Sequence, residues 1–373
     1  MTDEVMAEAA TLSRARRLPV LSNSEMRCYR RCVLEHDFSY RQRVRPLARP
    51  DALRFGTLVH IGLEVWWKTV DLAAAIEAMR RAESDPFELA KAEALLVGYH
   101  ARWEGEPLAV LAVEAQFECE LVNPKTGRAS KTRRLGGKLD AVAQRDDGVW
   151  IVEHKTTSED VEAGSPYWQR LRLDSQVSTY FAGAKALGYD VRGCIYDVVR
   201  KPTLKPYKAT PLEERKYTAE KSRACAECKK KTRTAAPHVE DVDGVAVPCV
   251  DGRIVTDPGG RLYANMRDRD ETADEYRERL LADIAEKPER YYVRGEVVRT
   301  EDDERAGAAD AWMIAQSMHE AERLGRYPRN VDACVRYGRT CDYFDVCTGA
   351  ASLADPLRYR VARTAHEELE VTT

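Results

Sequence analysis

The stretch Gly136–Thr156, GGKLDAVAQRDDGVWIVEHKT, combines a strand–turn–strand pattern with a concentration of ionisable residues. The turn Arg145–Gly148, RDDG, separates two short apolar segments, which predicts a β-hairpin. Because side chains alternate across a strand, Glu153 and Lys155 share one face and His154 lies on the other. The sequence therefore predicts an acid and a lysine that project together from the end of a strand.

Asp140, on the preceding strand, can bring a second carboxylate to the same place. Two carboxylates beside a lysine make an oxygen-rich site of the kind that binds Mg²⁺ or Mn²⁺. The lysine can hold and polarise an attacking water. The alternative is a surface hairpin with an ion pair between Glu153 and Lys155, since this spacing is common in charged proteins.

Length and composition favour a globular protein without membrane contact. The 373 residues, 44% hydrophobic and 32% charged, are enough for one elaborated domain or two small ones. No run of roughly 18 apolar residues occurs, and the N-terminal segment lacks the apolar core of a signal peptide. We therefore expect a cytoplasmic protein. The segment Gly127–Thr132 lacks the glycine before its lysine that a P-loop requires, so no nucleotide cofactor is expected.

Charge is distributed unevenly along the chain. The net charge of −3 argues against a uniformly basic nucleic-acid binder. However, Arg14–Arg49 holds ten arginines against three acids, and Val122–Leu139 holds six basic residues and no acid. Arg200–Lys208 adds four more basic residues without an acid. Such patches can follow a phosphate backbone, although each can also be an ordinary solvated face.

The order of predicted elements indicates an α/β fold with a mixed sheet. Apolar periodicity and capping signals predict helices and strands in the following order: a helix after Ser22, helices at Arg54–Met79 and Asp85–Trp103, a strand at Val110–Leu121, the hairpin, a helix at Arg170–Leu187, a strand at Val191–Val199, and helices at Glu271–Glu286 and Asp303–Leu324. Residues 201–270 are rich in Pro, Gly and charge and show little periodicity, which indicates an insertion.

The cysteines are spaced as metal ligands are. Ten cysteines are many for a cytosolic chain, where disulfides are disfavoured. Seven of them fall into an N-terminal pair, a C-x-x-C motif within the insertion, and a C-terminal set of three. Within the insertion, four residues could form a small zinc site: Cys225, Cys228, His238 and Cys249.

Four motifs in order carry a family resemblance. They are Gly56–His60 (GTLVH), Gly137–Asp140 (GKLD), Glu153–Lys155 (EHK) and Gln176–Tyr180 (QVSTY). Together they resemble the RecB-like branch of the PD-(D/E)XK nucleases, and most closely the iron–sulfur exonucleases. That group includes stand-alone CRISPR-associated and bacteriophage RecB-like enzymes and AddB-type nuclease domains. The resemblance implies a restriction-endonuclease-like core, in which a central mixed sheet is flanked by helices.

The resemblance covers roughly residues 21–200 and 270–350 and implies a division of the chain. The expected parts are a flexible arm at 1–20, a helical region at 21–110 with the first cluster cysteine, the nuclease core at 111–200, the insertion at 201–270, helices and an iron–sulfur closing segment at 271–350, and a tail at 351–373.

The family binds a 4Fe–4S cluster through one cysteine before the core and three after it. The matching residues here are Cys32, Cys334, Cys341 and Cys347. Cys28 could replace Cys32 as a ligand or pack beside it. Four thiolates suit an iron–sulfur cluster or zinc equally well by charge, and it is the resemblance that favours iron. The cluster would tie residue 32 to residue 334.

The resemblance also implies roles at the active site. Asp140 and Glu153 would coordinate Mg²⁺ or Mn²⁺, with His60 and the backbone carbonyl of His154 as further ligands. Lys155 would orient the attacking water. Gln176 and Tyr180 would position the DNA strand, and Glu114 is a weaker candidate for a second metal contact. An imidazole ligand favours Mn²⁺ over Mg²⁺.

The function implied is metal-dependent hydrolysis of DNA by an exonuclease that acts on single-stranded ends, in phage or bacterial replication, recombination or repair. A second hypothesis is a nucleic-acid-binding or processing subunit of a larger complex, such as one for CRISPR spacer acquisition. A third treats every cysteine group as zinc-binding and the Glu153–Lys155 pair as surface. The presence of all four motifs favours an active enzyme.

Overall fold

A six-stranded mixed sheet lies at the centre of the computed structural model. The structure describes residues 18–48, 51–106, 108–216, 222–225, 238–242, 245–250, 253–255, 262–336 and 338–370. The strands are β1 (Val20–Leu21), β2 (Val44–Pro46), β3 (Ala109–Val122), β4 (Ala129–Arg145), β5 (Gly148–Thr157), β6 (Val191–Arg200), β7 (Ser222–Ala224), β8 (His238–Val242), β9 (Val245–Val250), β10 (Arg253–Val255), β11 (Tyr292–Val297), β12 (Val335–Arg336), β13 (Arg339–Thr340) and β14 (Tyr359–Val361).

Helices cover both faces of this sheet. They are α1 (Asn23–Arg31), α2 (Val33–His36, followed by a π-helical turn at Asp37–Arg41), α3 (Asp51–Thr69), α4 (Leu72–Ala82), α5 (Pro86–Trp103), α6 (Pro166–Leu171), α7 (Ser175–Ala186), α8 (Ala273–Glu286), α9 (Glu301–Leu324) and α10 (Phe344–Thr348). None of the described helices combines the length and the apolar character that a membrane span requires.

The long strand β4 organises the sheet because three strands pair with it. β3 runs antiparallel along one edge, and the other edge is shared by β1, which is parallel, and β5, which is antiparallel. β6 pairs parallel to β5, and β11 pairs antiparallel to β6. The β1 ladder ends at Leu135 and the β5 ladder begins at Ala141, so residues 136–140 lie between the two ladders. Asp140 therefore lies where β4 and β5 part.

The two faces of β5 enter different layers of the core, as the alternation of side chains predicts. Trp150 and Val152 pack on the side covered by α3, α4, α5 and α8. Ile151 packs on the side of α7, against Val177 and Phe181. The predicted hairpin is confirmed, since Arg145 pairs with Gly148 across its turn. The predicted α/β architecture with a helix-flanked mixed sheet is confirmed as well.

The single helix predicted at Arg54–Met79 is wrong, because the segment forms two helices. α3 ends at Thr69, and Val70 adopts a left-handed conformation with φ of 54°. Asp71 then caps α4 by accepting a hydrogen bond from the backbone N–H of Ala74 at 3.0 Å. Because the side chain of Asp71 caps the first turn of a new helix, the backbone can start a second helix here instead of continuing the first.

The helix predicted at Arg170–Leu187 is also divided. α6 ends at Leu171, and Asp174 caps α7 through a 2.9 Å hydrogen bond from the backbone N–H of Gln176. Leu173, which falls within the predicted helix, is 88% exposed in the linker. The cap places Gln176 in the first turn of α7, at the end nearest β5.

The insertion contains a sheet of its own. The described strands between residues 222 and 255 form an antiparallel sheet in the order β7, β10, β9, β8. The sequence pattern gave no sign of these strands because they are short and carry little alternation. Of the predicted arm at 1–20, residues 1–17 lie outside the described residues. β14, in the predicted tail, pairs antiparallel with β2.

Candidate active site

A cleft of about 870 Å³ lies between α3 and the ends of β4 and β5. His60, Asp140, His154 and Lys155 line it, together with Glu114. Glu153 lies directly behind the cleft and is 3% exposed. The structure thus brings together residues that the sequence placed in separate motifs.

Two glycines allow the backbones to approach at this cleft. A Cβ atom on Gly56 would lie 3.0 Å from Thr156 Oγ1, so glycine lets α3 come close to β5. A Cβ atom on Gly137 would lie 2.9 Å from the ring of Phe117 on β3. These contacts give a physical reason for the glycines of two motifs, because a side chain at either position would meet a neighbouring side chain.

Glu153 and Lys155 form a hydrogen-bonded group with two residues of α7. Lys155 Nζ donates to Glu153 Oε1 and, at 3.0 Å, to Gln176 Oε1. Gln176 Nε2 donates to Glu153 Oε1 at 2.8 Å and to Tyr180 Oη at 2.6 Å. Because Gln176 and Tyr180 are one helical turn apart, both reach the same carboxylate region. The amide therefore fixes the relative positions of the acid and the lysine.

Asp140 is held at the gap between the β4 and β5 ladders. Its Oδ2 accepts a 2.9 Å hydrogen bond from the backbone N–H of His154. His60 Nδ1 lies 3.9 Å from the same oxygen. The β4–β5 ladder offers no partner to the backbone N–H of His154, and the carboxylate of Asp140 accepts its hydrogen bond instead. The carboxylate also remains beside the cleft.

One buried oxygen of this site has no protein partner. Glu153 Oε2 makes no hydrogen bond, although Oε1 of the same carboxylate has two donors. A buried carboxylate oxygen without a donor is costly. A cation shared with Asp140 would remove that cost, so these two residues fit a hard divalent metal such as Mg²⁺ or Mn²⁺ in the chemistry of their donor atoms.

The comparison with protein families agrees with this arrangement. The profile of the PD-(D/E)XK nuclease superfamily matches residues 20–348. This chain belongs to that superfamily. No curated protein matches the sequence. A crystal structure of SSO0001 aligns at 14% identity with a TM-score of 0.19, and the match covers 41% of this chain and 65% of the other, less than two thirds of its length.

The two buried acids of this site repel each other electrostatically. Burial raises the pKa of Glu153 to about 7, and the charge of Asp140 adds to the increase. Burial also raises the pKa of Asp140. Burial acts to lower the pKa of Lys155, but the charge and hydrogen bond of Glu153, together with the charges of Asp140 and Asp174, outweigh this effect and raise it. The charge of Lys155 in turn lowers the pKa of Glu153, whereas His154 makes the larger charge contribution at Asp140.

The raised pKa of Glu153 predicts how Mn²⁺ binding depends on pH. Metal binding requires the ionised carboxylate, so protons compete with the metal below pH 7. We expect the Mn²⁺ affinity measured by calorimetry to fall by about tenfold for each pH unit below 7. In the metal-free protein, the contribution of Glu153 to folding stability changes with pH in the opposite direction. A carboxyl whose pKa rises from 4.5 to about 7 on folding stabilises the protein at low pH and loses that contribution as pH rises through this window.

The exposed acid Glu159 at the rim of the cleft provides the control for this measurement. Glu159→Gln should leave the pH dependence of Mn²⁺ affinity unchanged. Affinity that is constant between pH 5.5 and 7 in the unaltered protein would show that Glu153 is not a ligand with a raised pKa.

A buried network behind the cleft was missed by the sequence analysis. Its centre is Asp197 on β6, whose Oδ2 lies 2.9 Å from His154 Nδ1 and accepts from the hydroxyl of Tyr99. Arg294 Nε donates to Asp197 Oδ1 at 2.9 Å, and Trp67 Nε1 donates to Tyr99 at 2.9 Å. An acid within an otherwise apolar strand was the available signal, because a buried charge needs partners.

The predicted basic stretch Val122–Leu139 is partly neutralised. Arg133 is buried and lies 3.4 Å from Glu25. Lys138 pairs with Glu114, the weaker metal candidate, which lines the same cleft. Ion pairs of this kind leave less positive charge for phosphates than the sequence suggests.

The four cysteines of the expected cluster lie in one region. Asn330 Nδ2 donates to the carbonyl of Arg31 at 2.8 Å, which brings the segment before Cys334 to the end of α1, where Cys32 lies. The backbone N–H of Cys341 donates to the carbonyl of Cys334 at 2.8 Å. Burial raises the pKa of Cys347, and the thiols of Cys32 and Cys334 raise it further.

Cys28 differs from these cysteines in its surroundings. It is buried within α1, and burial raises its pKa to about 12. Cys32 instead ends the helix in an extended conformation, with φ of −159°, and is half-buried. Of the two N-terminal cysteines, Cys32 is therefore better placed to act as a ligand.

In the insertion, the structure brings together three of the four candidate zinc ligands. The ligand atoms of Cys225, His238 and Cys249 all lie within 4.8 Å of one another. Cys228, the fourth residue of the prediction, lies outside the described residues.

Proposed function

We propose that this chain is a divalent-metal-dependent DNA exonuclease that acts on single-stranded ends. The observation that carries the proposal is the unpartnered, buried Oε2 of Glu153, adjacent to Asp140 and joined to Lys155 through the other carboxylate oxygen. Such a site combines a place for a cation with a lysine held beside it. Membership of the PD-(D/E)XK nuclease superfamily supports hydrolysis of nucleic acid as the reaction.

Asp140 and Glu153 would hold the metal, with His60 and the backbone carbonyl of His154 as further ligands. When bound, a divalent cation lowers the pKa of water and offsets negative charge on a phosphate. The imidazole of His60 favours Mn²⁺ over Mg²⁺. Because His60 lies on α3 and both acids lie on the sheet, the packing of α3 on β5 sets the size of the cavity for the cation.

Lys155 would orient the attacking water and stabilise the charge that develops on the phosphate. Its ammonium is fixed by Glu153 and Gln176, so little reorganisation is needed when charge develops. Gln176 bridges the acid and the lysine, and a strand bound in the cleft can also reach it. Tyr180 is buried, and we propose that it acts by holding Gln176 in place rather than by touching DNA.

The expected 4Fe–4S cluster, bound by Cys32, Cys334, Cys341 and Cys347, would join the ends of the fold. A closed fold favours the threading of a free end over binding in the middle of a strand. Metal analysis tests this part. Anaerobically purified protein should be brown and contain iron, and Cys347→Ser should lose both. A colourless protein without iron, whose zinc content falls in Cys347→Ser, would support the zinc alternative instead.

Digestion of linear and circular DNA tests the proposed exonuclease activity. A single-stranded oligonucleotide labelled at either end and a closed circle of the same sequence should be incubated with Mn²⁺, and a duplex should be included. We expect the linear single strand to be degraded from one end while the circle stays intact. Cleavage of the circle at a similar rate would contradict exonuclease action and would indicate an endonuclease instead.

A further inference from the structure

The small sheet of the insertion carries a cluster of metal-ligating side chains that is separate from the catalytic cleft. We propose that Cys225, His238 and Cys249 bind a structural zinc ion. Their ligand atoms all lie within 4.8 Å of one another, and Cys225 Sγ lies 3.6 Å from His238 Nε2. None of the three lines the cleft of the active site.

The strand register explains why the three side chains meet. His238 on β8 lies directly opposite Cys249 on β9, which lies opposite Ile254 on β10. Ile254 in turn pairs with Arg223 on β7. Residues directly opposite in a ladder point to the same face, and Cys225 follows Arg223 by two residues, so it points to that face as well. The sheet therefore carries both thiols and the imidazole on one side.

The donor set selects the metal. Two thiolates and an imidazole suit zinc, whereas Mg²⁺ and Mn²⁺ prefer oxygen ligands. Cys225 and Cys249 are each 2% exposed. In the zinc-bound form both cysteines would be thiolates, and the ion would offset their negative charge within the buried core. The burial of both cysteines fits a structural ion better than a catalytic one.

Among the described residues of the insertion, little else stabilises this sheet. Its described core consists of Cys225, Cys249 and Ile254, with Val247 packed against them. Sheets and domains this small rarely fold on apolar packing alone, and a metal or disulfide usually completes them. The cysteines thus form most of the core, and zinc bound between them would link β7, β8 and β9. A disulfide between Cys225 and Cys249 is the competing arrangement.

Zinc analysis of the full-length protein tests this proposal. The protein and its variants should be produced with added zinc, desalted, and measured by mass spectrometry of the metal. We expect a stoichiometric zinc ion that is lost in Cys249→Ser and in His238→Ala. Cys119→Ser, which alters a half-buried cysteine on β3, is the matched control and should keep it. His238→Cys should keep it too, because it restores a ligand and separates coordination from misfolding.

Limited proteolysis provides a second measurement that does not depend on activity. The chelated protein should be cut within residues 201–270, and zinc, but not magnesium, should restore resistance. Three results would overturn the proposal: no zinc in the unaltered protein, zinc retained by Cys249→Ser and His238→Ala together, or a disulfide between Cys225 and Cys249 in protein isolated under reducing conditions. None of these results bears on the proposed nuclease activity.

Discussion

Lys155→Ala is expected to lower the rate of DNA hydrolysis by about 10²–10³-fold at saturating metal, the usual cost of removing one preorganised donor. The lysine donates to both Glu153 and Gln176, so its ammonium is already held in position for this role. Rates should be measured under single-turnover conditions with labelled single-stranded DNA. The variant should still bind Mn²⁺, because the carboxylates remain.

The pH profile of Lys155→Ala gives a second test of the same role. The positive charge of Lys155 lowers the pKa of Glu153, so its removal should shift the rise in Mn²⁺ affinity to higher pH. Lys185→Ala, which alters an exposed lysine on α7, is the control and should change neither rate nor pH profile. A rate within twofold of the unaltered protein would exclude a catalytic role for Lys155.

Asp197→Asn is expected to lower the free energy of unfolding by about 3–5 kcal/mol, the typical cost of removing one partner from a buried ion pair. Asp197 is fully buried and accepts from Tyr99 and Arg294. The substitution removes the carboxylate charge on β6 that pairs with the guanidinium of Arg294. It also weakens the hold on His154, which lies between Glu153 and Lys155 in sequence.

Urea denaturation followed by circular dichroism would measure this effect. Asp146→Asn, in the exposed turn of the hairpin, is the matched control and should change stability by less than about 0.5 kcal/mol. If Asp197→Asn were as stable as this control, the network would not contribute to the stability of the fold. A folded Asp197→Asn with reduced Mn²⁺ affinity would show that the network also positions the site.

The hairpin and its ionisable residues could be predicted because they depend on local rules. Alternation along β5 is enough to place Glu153 and Lys155 together, and the RDDG turn fixes the return of the chain. The helix breaks at Val70 and Asp174 could not be predicted from periodicity, since the apolar pattern continues across both. At each break, an aspartate that caps the next helix has a stronger effect on the backbone than the apolar pattern.

The tertiary contacts of the site lie beyond what local rules can give. The hydrogen bond from Gln176 to Glu153 depends on where α7 packs, and the pairing of Asp197 with Arg294 joins residues from two strands that are far apart in sequence. The motif order predicted that these parts meet, but not which atoms bond. In the insertion, the cysteine spacing predicted a metal site, while the register of β8 and β9 places His238 opposite Cys249 and supports its inclusion in the proposed site.

The most direct test of the central claim is digestion of end-labelled single-stranded DNA by the unaltered protein in Mn²⁺, Mg²⁺ or EDTA, beside Glu153→Gln. That substitution keeps the shape of the side chain and removes the charge that would bind the metal. The account predicts digestion with Mn²⁺ that EDTA abolishes and Glu153→Gln lacks. Digestion that persists in EDTA or in a folded Glu153→Gln variant, or intact DNA under every condition, would contradict it.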